Sequence, residues 1–230
     1  ADVYVNDAFG AAHRAHASTE GVTRYFDQCA AGLLMEREIK YLSKVLRSPE
    51  RPFVTILGGV KISDKIGVIE NLIDQVDALL IGGGMAYTFL KAMGMQIGNS
   101  VVELDKLDLA NELLKKASER HLTIYLPQDH VVGKSFRADT ESQVVPRGGI
   151  PEGWGGFDIG PETASQFGQI IDGAKTVFWN GPLGVYEFER FAQGTIAIAK
   201  RLAQSGAVSV IGGGDCVAAV HKAGVADRIT

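Results

Sequence analysis

The stretch from Phe53 to Ile66, FVTILGGVKISDKI, constrains this chain more than any other. It opens on an apolar, β-branched run, Phe53-Val54-Thr55-Ile56-Leu57, as expected of a strand buried on both faces of a parallel sheet. Gly58 and Gly59 follow, and a helical pattern begins near Lys61. A strand, a glycine turn and a helix N-terminus together make an anion site, because free backbone N–H groups and the helix dipole point at the same place. Lys61 and Lys65 are four residues apart, which puts them on one face of a helix. Two lysines in a first turn oppose the dipole, so a bound phosphate would relieve them. The plainer alternative is a pair of solvated lysines beside a packing turn.

The same grammar recurs. Ala78-Leu79-Leu80-Ile81 runs into Gly82-Gly83-Gly84, and Val208-Ser209-Val210-Ile211 runs into Gly212-Gly213-Gly214-Asp215. Three such turns imply three close backbone approaches at one sheet edge. A fourth loop, Trp179-Asn180-Gly181-Pro182-Leu183-Gly184-Val185-Tyr186-Glu187, falls at that edge as well. Its Glu187 reads either as an acceptor for sugar hydroxyls or as a helix cap. Gly155-Gly156-Phe157-Asp158 is either a flat surface for a planar base or an ordinary turn. Asp215 is an N-cap, or, beside lysines and a phosphate chain, a partner for Mg²⁺.

Along the chain, Val3 to Val5 reads as a strand and Asn6 to Thr19 as a polar loop carrying His13, Arg14 and His16. Arg14 could fork onto a carboxylate or phosphate, and the two histidines lack further ligands nearby for a metal. Gly32 to Arg47 shows a helical stripe of Leu33, Leu34, Ile39, Leu42, Val45 and Leu46, ended by Ser48-Pro49. This helix reads as a connector, with a domain boundary near Pro49 to Pro52. Beyond it strands and helices alternate in the pattern of parallel βαβ units. Helices are expected over Ile66 to Asp74, Met85 to Ala92, Glu103 to Arg120, Pro161 to Ile171, Phe188 to Gln204 and Cys216 to Lys222. Strands are expected over Leu122 to Leu126, Lys175 to Trp179 and Ser209 to Ile211, with two short strands in Asp129 to Arg147. Ala1 to Val5 looks like the middle of a buried strand and the last residues end without closure, which suggests a piece of a longer protein.

A net charge of -4 and no basic stripe argue against a nucleic-acid binder. The two cysteines, Cys29 and Cys216, make no metal-spaced pair and fit a reduced, cytoplasmic setting. No apolar run is long enough to span a membrane.

VNDAFGAAHRAHAST, ILGGVKISDKI, LLIGGGMAYTFLK, WGGFDIGPET, FWNGPLGVYEFERFAQGT and VIGGGDCVAAV are spread over nearly the whole length. In sequence and in order these stretches resemble the phosphoglycerate kinase family. The resemblance implies a Rossmann-like three-layer α/β/α fold with a mainly parallel sheet, preceded by a linker helix and the remnant of a second α/β domain. It divides the chain into 1–31 (a remnant of the 3-phosphoglycerate-binding domain), 32–50 (interdomain helix) and 51–230 (a truncated nucleotide-binding domain). It implies phosphoryl transfer between 1,3-bisphosphoglycerate and ADP, with Mg²⁺ as cofactor, in a cytoplasmic enzyme that is monomeric at full length. His13 and Arg14 match the contact to 3-phosphoglycerate. Lys61, Lys65 and Gly214 match the catalytic phosphate-binding set. Gly82, Gly83 and Gly156 match the adenine pocket, and Glu187 the ribose acceptor. Asn180, Gly213, Gly214 and Cys216 match the phosphate side, and Asp215 the metal-linked aspartate. Cys216 stands where a Ser or Thr is expected, and Gly155 where a bulkier residue is. The family's first half, its arginine that bridges the transferring phosphate, and its last phosphate turn lie outside these residues, so the chain by itself is expected to turn over little. A nicotinamide-dependent dehydrogenase would want G-x-G-x-x-G after the first strand, which Gly-Gly-x-Lys does not supply. A non-catalytic module, with glycines serving packing alone, predicts no effect of nucleotide on melting.

Overall fold

In the computed structural model, which describes residues 1–12 and 14–229 with the side chains of residues 44–47 set aside, the chain divides into two units, Ala1–Pro49 and Glu50–Thr230. In the first, β1 (Tyr4–Asn6) pairs in parallel with β2 (Cys29–Ala31). The expected buried strand is only half covered, and Val5 is 55% exposed, since a two-stranded sheet has no layer to lie against. The sequence reading also missed β2. The helix α1 (Leu33–Arg47) forms as expected, and Asp7 caps it: its carboxylate accepts the Met35 N–H at 2.8 Å. Of the expected apolar stripe, Leu42 is half-buried, and Val45 and Leu46 lie outside the described side chains. Leu33, Leu34 and Ile39 are exposed and Met35 is buried.

The second unit is the three-layer α/β/α body. Its sheet is built from β3 (Phe53–Leu57), β4 (Ala78–Ile81), β5 (Thr123–Tyr125), β9 (Thr176–Asn180) and β10 (Val208–Gly212), all parallel, in the order β10-β9-β3-β4-β5. All five residues of β3 are buried. Alternate residues serve opposite faces, the period-two geometry of a strand. Phe53 and Leu57 pack on one side with α2 (Ile66–Leu72), α3 (Met85–Ala92) and α4 (Leu107–Glu119). Val54 and Ile56 pack on the other with α5 (Pro161–Asp172), α6 (Gln193–Ser205) and α7 (Gly214–Lys222).

Between β5 and α5 the chain makes an antiparallel excursion of β6 (Asp129–Gly133), β7 (Ser142–Pro146) and β8 (Gly155–Ile159), in the order β7-β6-β8. Two strands were expected here, and Gly155 to Asp158 as a flat surface or turn; it is the third strand. The expected helix from Phe188 is replaced at its start by a 3-10 turn, Glu189–Phe191, before α6 begins at Gln193.

Sheet register positions the site. Leu57 lies opposite Ile81 on one side and Asn180 on the other, and Asn180 lies opposite Gly212. The carboxyl ends of four strands therefore share one row, and the glycine turns that follow them are neighbours. The chain order reverses between β3 and β9, which is where ligands bind in open parallel sheets.

Candidate functional site

A cleft of about 430 Å³ opens at that reversal. Its floor is backbone. The Gly59 N–H donates to the Pro182 carbonyl at 2.9 Å, the Gly83 N–H to that of Leu183 at 3.1 Å, and the Met85 N–H to that of Gly59 at 3.0 Å. Three turns are thus sewn together. A side chain on Gly58 would overlap the Pro182 carbonyl oxygen, and a Cβ on Gly83, at φ +66°, would come 2.6 Å from the Gly59 oxygen. Only glycine permits this approach.

One end of the cleft is polar. Lys65 reaches it with its ammonium donating to Asn180 Oδ1. Burial pulls the Lys65 pKa below the ordinary lysine value, against the opposing influence of Cys216 and Asp64. Lys61 and Lys65 do not share a helix face. Residues 61–65 are not helical, α2 begins at Ile66, and Lys65 is its N-cap. Both lysines still line the cleft, Lys61 exposed. Opposite them, α7 starts at Gly214 with no side-chain cap, so its first N–H groups stand free, with Asp215 in the first turn. The Tyr186 hydroxyl lies 3.5 Å from Asp215 Oδ1, and Lys222 Nζ donates to the Tyr186 carbonyl at 2.7 Å, tying the loop that carries Glu187 to α7. Cys216 lines the cleft from within the core. Burial pushes its thiol up to about 12, although the Gly181 N–H and the Lys65 ammonium favour the thiolate. It is therefore a neutral thiol at ordinary pH.

The other end is apolar. Phe136, Phe157 and Leu183 line it with Gly156. Phe136 meets Phe157 edge to face at 5.7 Å, and Phe157 meets Phe191 at 5.1 Å, so the wall is a chain of interlocked rings. Asp158 is buried beside them. Its carboxylate accepts the Gly194 N–H at 2.7 Å and the Ile159 N–H at 2.9 Å, and burial pushes its pKa up to about 8. Side chains at Gly184 or Gly194 would collide with it.

Of the residues singled out from the sequence, Lys61, Lys65, Gly83, Gly156, Asn180, Glu187, Gly213, Gly214, Asp215 and Cys216 come together around this cleft. Gly82 does not line it. It is buried behind the floor, where a Cβ would strike Leu183. Arg14 is exposed on the first unit, and His13 lies outside the described residues. Sequence reasoning passed over Tyr87 and Phe136, and named Asp158 only within the stretch Gly155 to Asp158. Tyr87 stood inside a quoted motif, and Phe136 carried no local signal. Among the described residues no group of three or more metal-ligating side chains exists. Asp215 alone suits a magnesium ion whose remaining ligands are phosphate oxygens and water.

A family model described as phosphoglycerate kinase matches residues 1–230. The cytosolic phosphoglycerate kinase of Nicotiana tabacum is 54% identical over the whole chain, which spans 58% of that relative. The phosphoglycerate kinase of Koribacter versatilis is 57% identical, again over the whole chain and 57% of its own length. Among solved structures, phosphoglycerate kinase from Coxiella burnetii superposes with a TM-score of 0.91 at 42% identity, over 99% of this chain and 59% of that one. The chain thus spans somewhat under three-fifths of the length of these relatives, and with its parallel sheet, glycine turns and matching motifs it belongs to the phosphoglycerate kinase family.

Proposed function

We propose that the cleft binds MgADP or MgATP, and that the protein transfers a phosphoryl group reversibly between 1,3-bisphosphoglycerate and ADP. The observation that carries this reading is the cleft's two-ended chemistry. A lysine, an asparagine and an uncapped helix N-terminus stand at one end, and glycines and aromatic rings at the other. A nucleoside diphosphate has the same polarity. Its base would lie along Gly156, Phe157 and Leu183, its ribose would meet Glu187, and its phosphates would meet Lys65 and the N–H groups of Gly213 and Gly214. Within this reading residues 51–230 are the nucleotide domain, 32–50 the connecting helix, and 1–31 part of the 3-phosphoglycerate domain, where His13 and Arg14 would contact that substrate.

The chemistry asked of these residues is positioning and charge neutralisation. The acceptor is already an anion, a carboxylate or a β-phosphate, so no strong base is needed. Lys65, held by Asn180, and the α7 N-terminus would stabilise the equatorial oxygens of the transferring group. Lys61 would add positive charge at the cleft mouth. Asp215 would hold a magnesium ion, which supplies neutralisation of phosphate charge when bound. The cytoplasmic setting and the monomeric state belong to the same proposal. Cytosolic relatives support the former, and no helix among the described residues is long and apolar enough to cross a membrane.

Calorimetric titration with MgADP tests the reading. The wild-type protein should bind, and Lys65→Ala should bind about tenfold more weakly or worse, as for one lost charge-assisted contact. Equal affinity of the two proteins would remove Lys65 from the site, and no binding by either would remove the nucleotide.

A further inference from the structure

A buried tyrosine–histidine pair, of which Tyr87 lines the cleft, is left unused by the proposed chemistry. Tyr87, on α3, lines the cleft although only 4% of it is exposed. Its hydroxyl is packed so closely on Gly156 that a Cβ there would occupy its place. The hydroxyl oxygen lies 3.4 Å from Nδ1 of His130, on β6, and the rings are 5.3 Å apart. His130 is 1% exposed, and its Nε2 has no hydrogen-bond partner.

That unpartnered nitrogen decides where the protons are. Burial keeps the imidazole neutral, so it carries a single N–H. If the proton were on Nε2, a donor would be stranded in the core. If it is on Nδ1, the stranded group is a lone pair, and buried acceptors without partners are tolerated more often than buried donors. In this second tautomer Nδ1–H donates to the Tyr87 oxygen. The tyrosine proton is then turned away from His130, and His130 is the only hydrogen-bond partner of that hydroxyl among the described residues. Its outlet is the cleft, beside Gly156.

We propose that Tyr87 is a specificity-determining donor to a ring nitrogen of the bound base, and that His130 is the positioning residue that sets its proton. The inference rests on the cleft being a nucleotide site, and adds that the site reads a hydrogen-bond acceptor on the base as well as its flat face. A phenylalanine at 87 would keep the packing and lose the reading.

The test compares MgADP, its 1-deaza, 3-deaza and 7-deaza analogues, and magnesium tripolyphosphate, which has no base. Tyr87→Phe should weaken MgADP by about three- to tenfold, the worth of one neutral hydrogen bond, and leave tripolyphosphate unchanged. One deaza analogue should bind the wild type as weakly as MgADP binds Tyr87→Phe, with no further loss when analogue and substitution are combined. His130→Leu should behave like Tyr87→Phe. His130→Asn, which keeps an N–H near the Nδ1 position, should restore the affinity for MgADP, a rescue that mere packing would not give. The ¹⁵N shifts of His130 should report a protonated Nδ1. Unchanged MgADP affinity in Tyr87→Phe, or a proton on Nε2, overturns the proposal with the nucleotide reading intact. No MgADP binding by the wild type overturns both.

Discussion

A side chain at position 58 has nowhere to go. The Pro182 carbonyl oxygen already fills the place of its Cβ, and the loop that carries this oxygen also holds Asn180 and Glu187. Gly58→Ala should therefore push the loop away, lower stability by about 1–3 kcal/mol, and weaken MgADP. Urea melts and titration check this, and a variant as stable as the wild type would contradict the close packing. Two buried titratable residues make a pH prediction. His130 is held down to about 4, so the folded state refuses a proton that the unfolded chain accepts. The stability it contributes is complete above the ordinary histidine range and lost as pH falls towards 4. Asp158 is pushed up to about 8, so the folded state keeps a proton that the unfolded chain releases. Its contribution is complete below the ordinary carboxylate range and lost as pH rises towards 8. Between pH 6.5 and 8 the Asp158 slope stands alone of the two, worth up to ~2 kcal/mol. Urea midpoints of wild type should fall across that window, and those of Asp158→Asn should not. A slope kept in the variant would place its origin elsewhere. The asparagine form should be less stable throughout, because both carboxylate oxygens accept N–H groups and an amide offers only one acceptor.

At the level of elements, one carboxylate joins the antiparallel excursion to the helical layer. Asp129 of β6 is buried and accepts the N–H groups of Glu162 at 2.9 Å and Thr163 at 2.8 Å, and the Thr163 hydroxyl at 2.6 Å. It caps α5 from another strand, because Gly160, the residue at the cap position, has no side chain to do so. Asp129→Ala should cost about 2–3 kcal/mol, more than an exposed cap, since it strands buried donors. A thermal shift smaller than that of a surface substitution would show that water replaces the carboxylate. This cap was invisible in the sequence, where Asp129 and Thr163 are far apart. The parallel strands were legible, because runs such as FVTIL and ALLI stay apolar at every position and end in glycines. Strand β8 was not. Gly155 and Gly156 are poor strand formers; at Gly156 the Tyr87 hydroxyl takes the room of a side chain, while a Cβ on Gly155 would only press on the Phe157 ring at 3.3 Å. The start of α2 was misread for a related reason. Lys61 and Lys65 keep helical spacing, but the backbone does not turn helical until Ile66. The lysines and glycines that line the cleft were legible in the sequence, and the aromatic wall was not, since Phe136, Phe157 and Phe191 meet only in three dimensions.

Across the whole chain the two units differ in how much they bury. Met35 is the only hydrophobic side chain below the surface among the described residues of the first unit, whereas the second has two extensive cores around one sheet. Limited proteolysis should cut within residues 1–49 well before residues 50–229, and amide exchange should rank them the same way. Equal protection would mean that the first unit is held by more than its own contacts. The strand order has a further outcome, in the time course of folding. Val54 pairs with Ala78 on one side of β3 and with Val177 on the other. The first partner is reached by one short crossover, the second only after the antiparallel excursion and α5 have been traversed. Loop closure of that length carries a larger entropic cost, so β9 should dock after β3, β4 and α2 have associated. Substitutions that trim Val177 should then accelerate unfolding and leave the folding rate nearly unchanged, while trimming Leu79 should slow folding. Until β9 arrives there is neither Asn180 to hold Lys65 nor a Pro182 carbonyl for Gly59, and the cleft is the last part of the molecule to come into being.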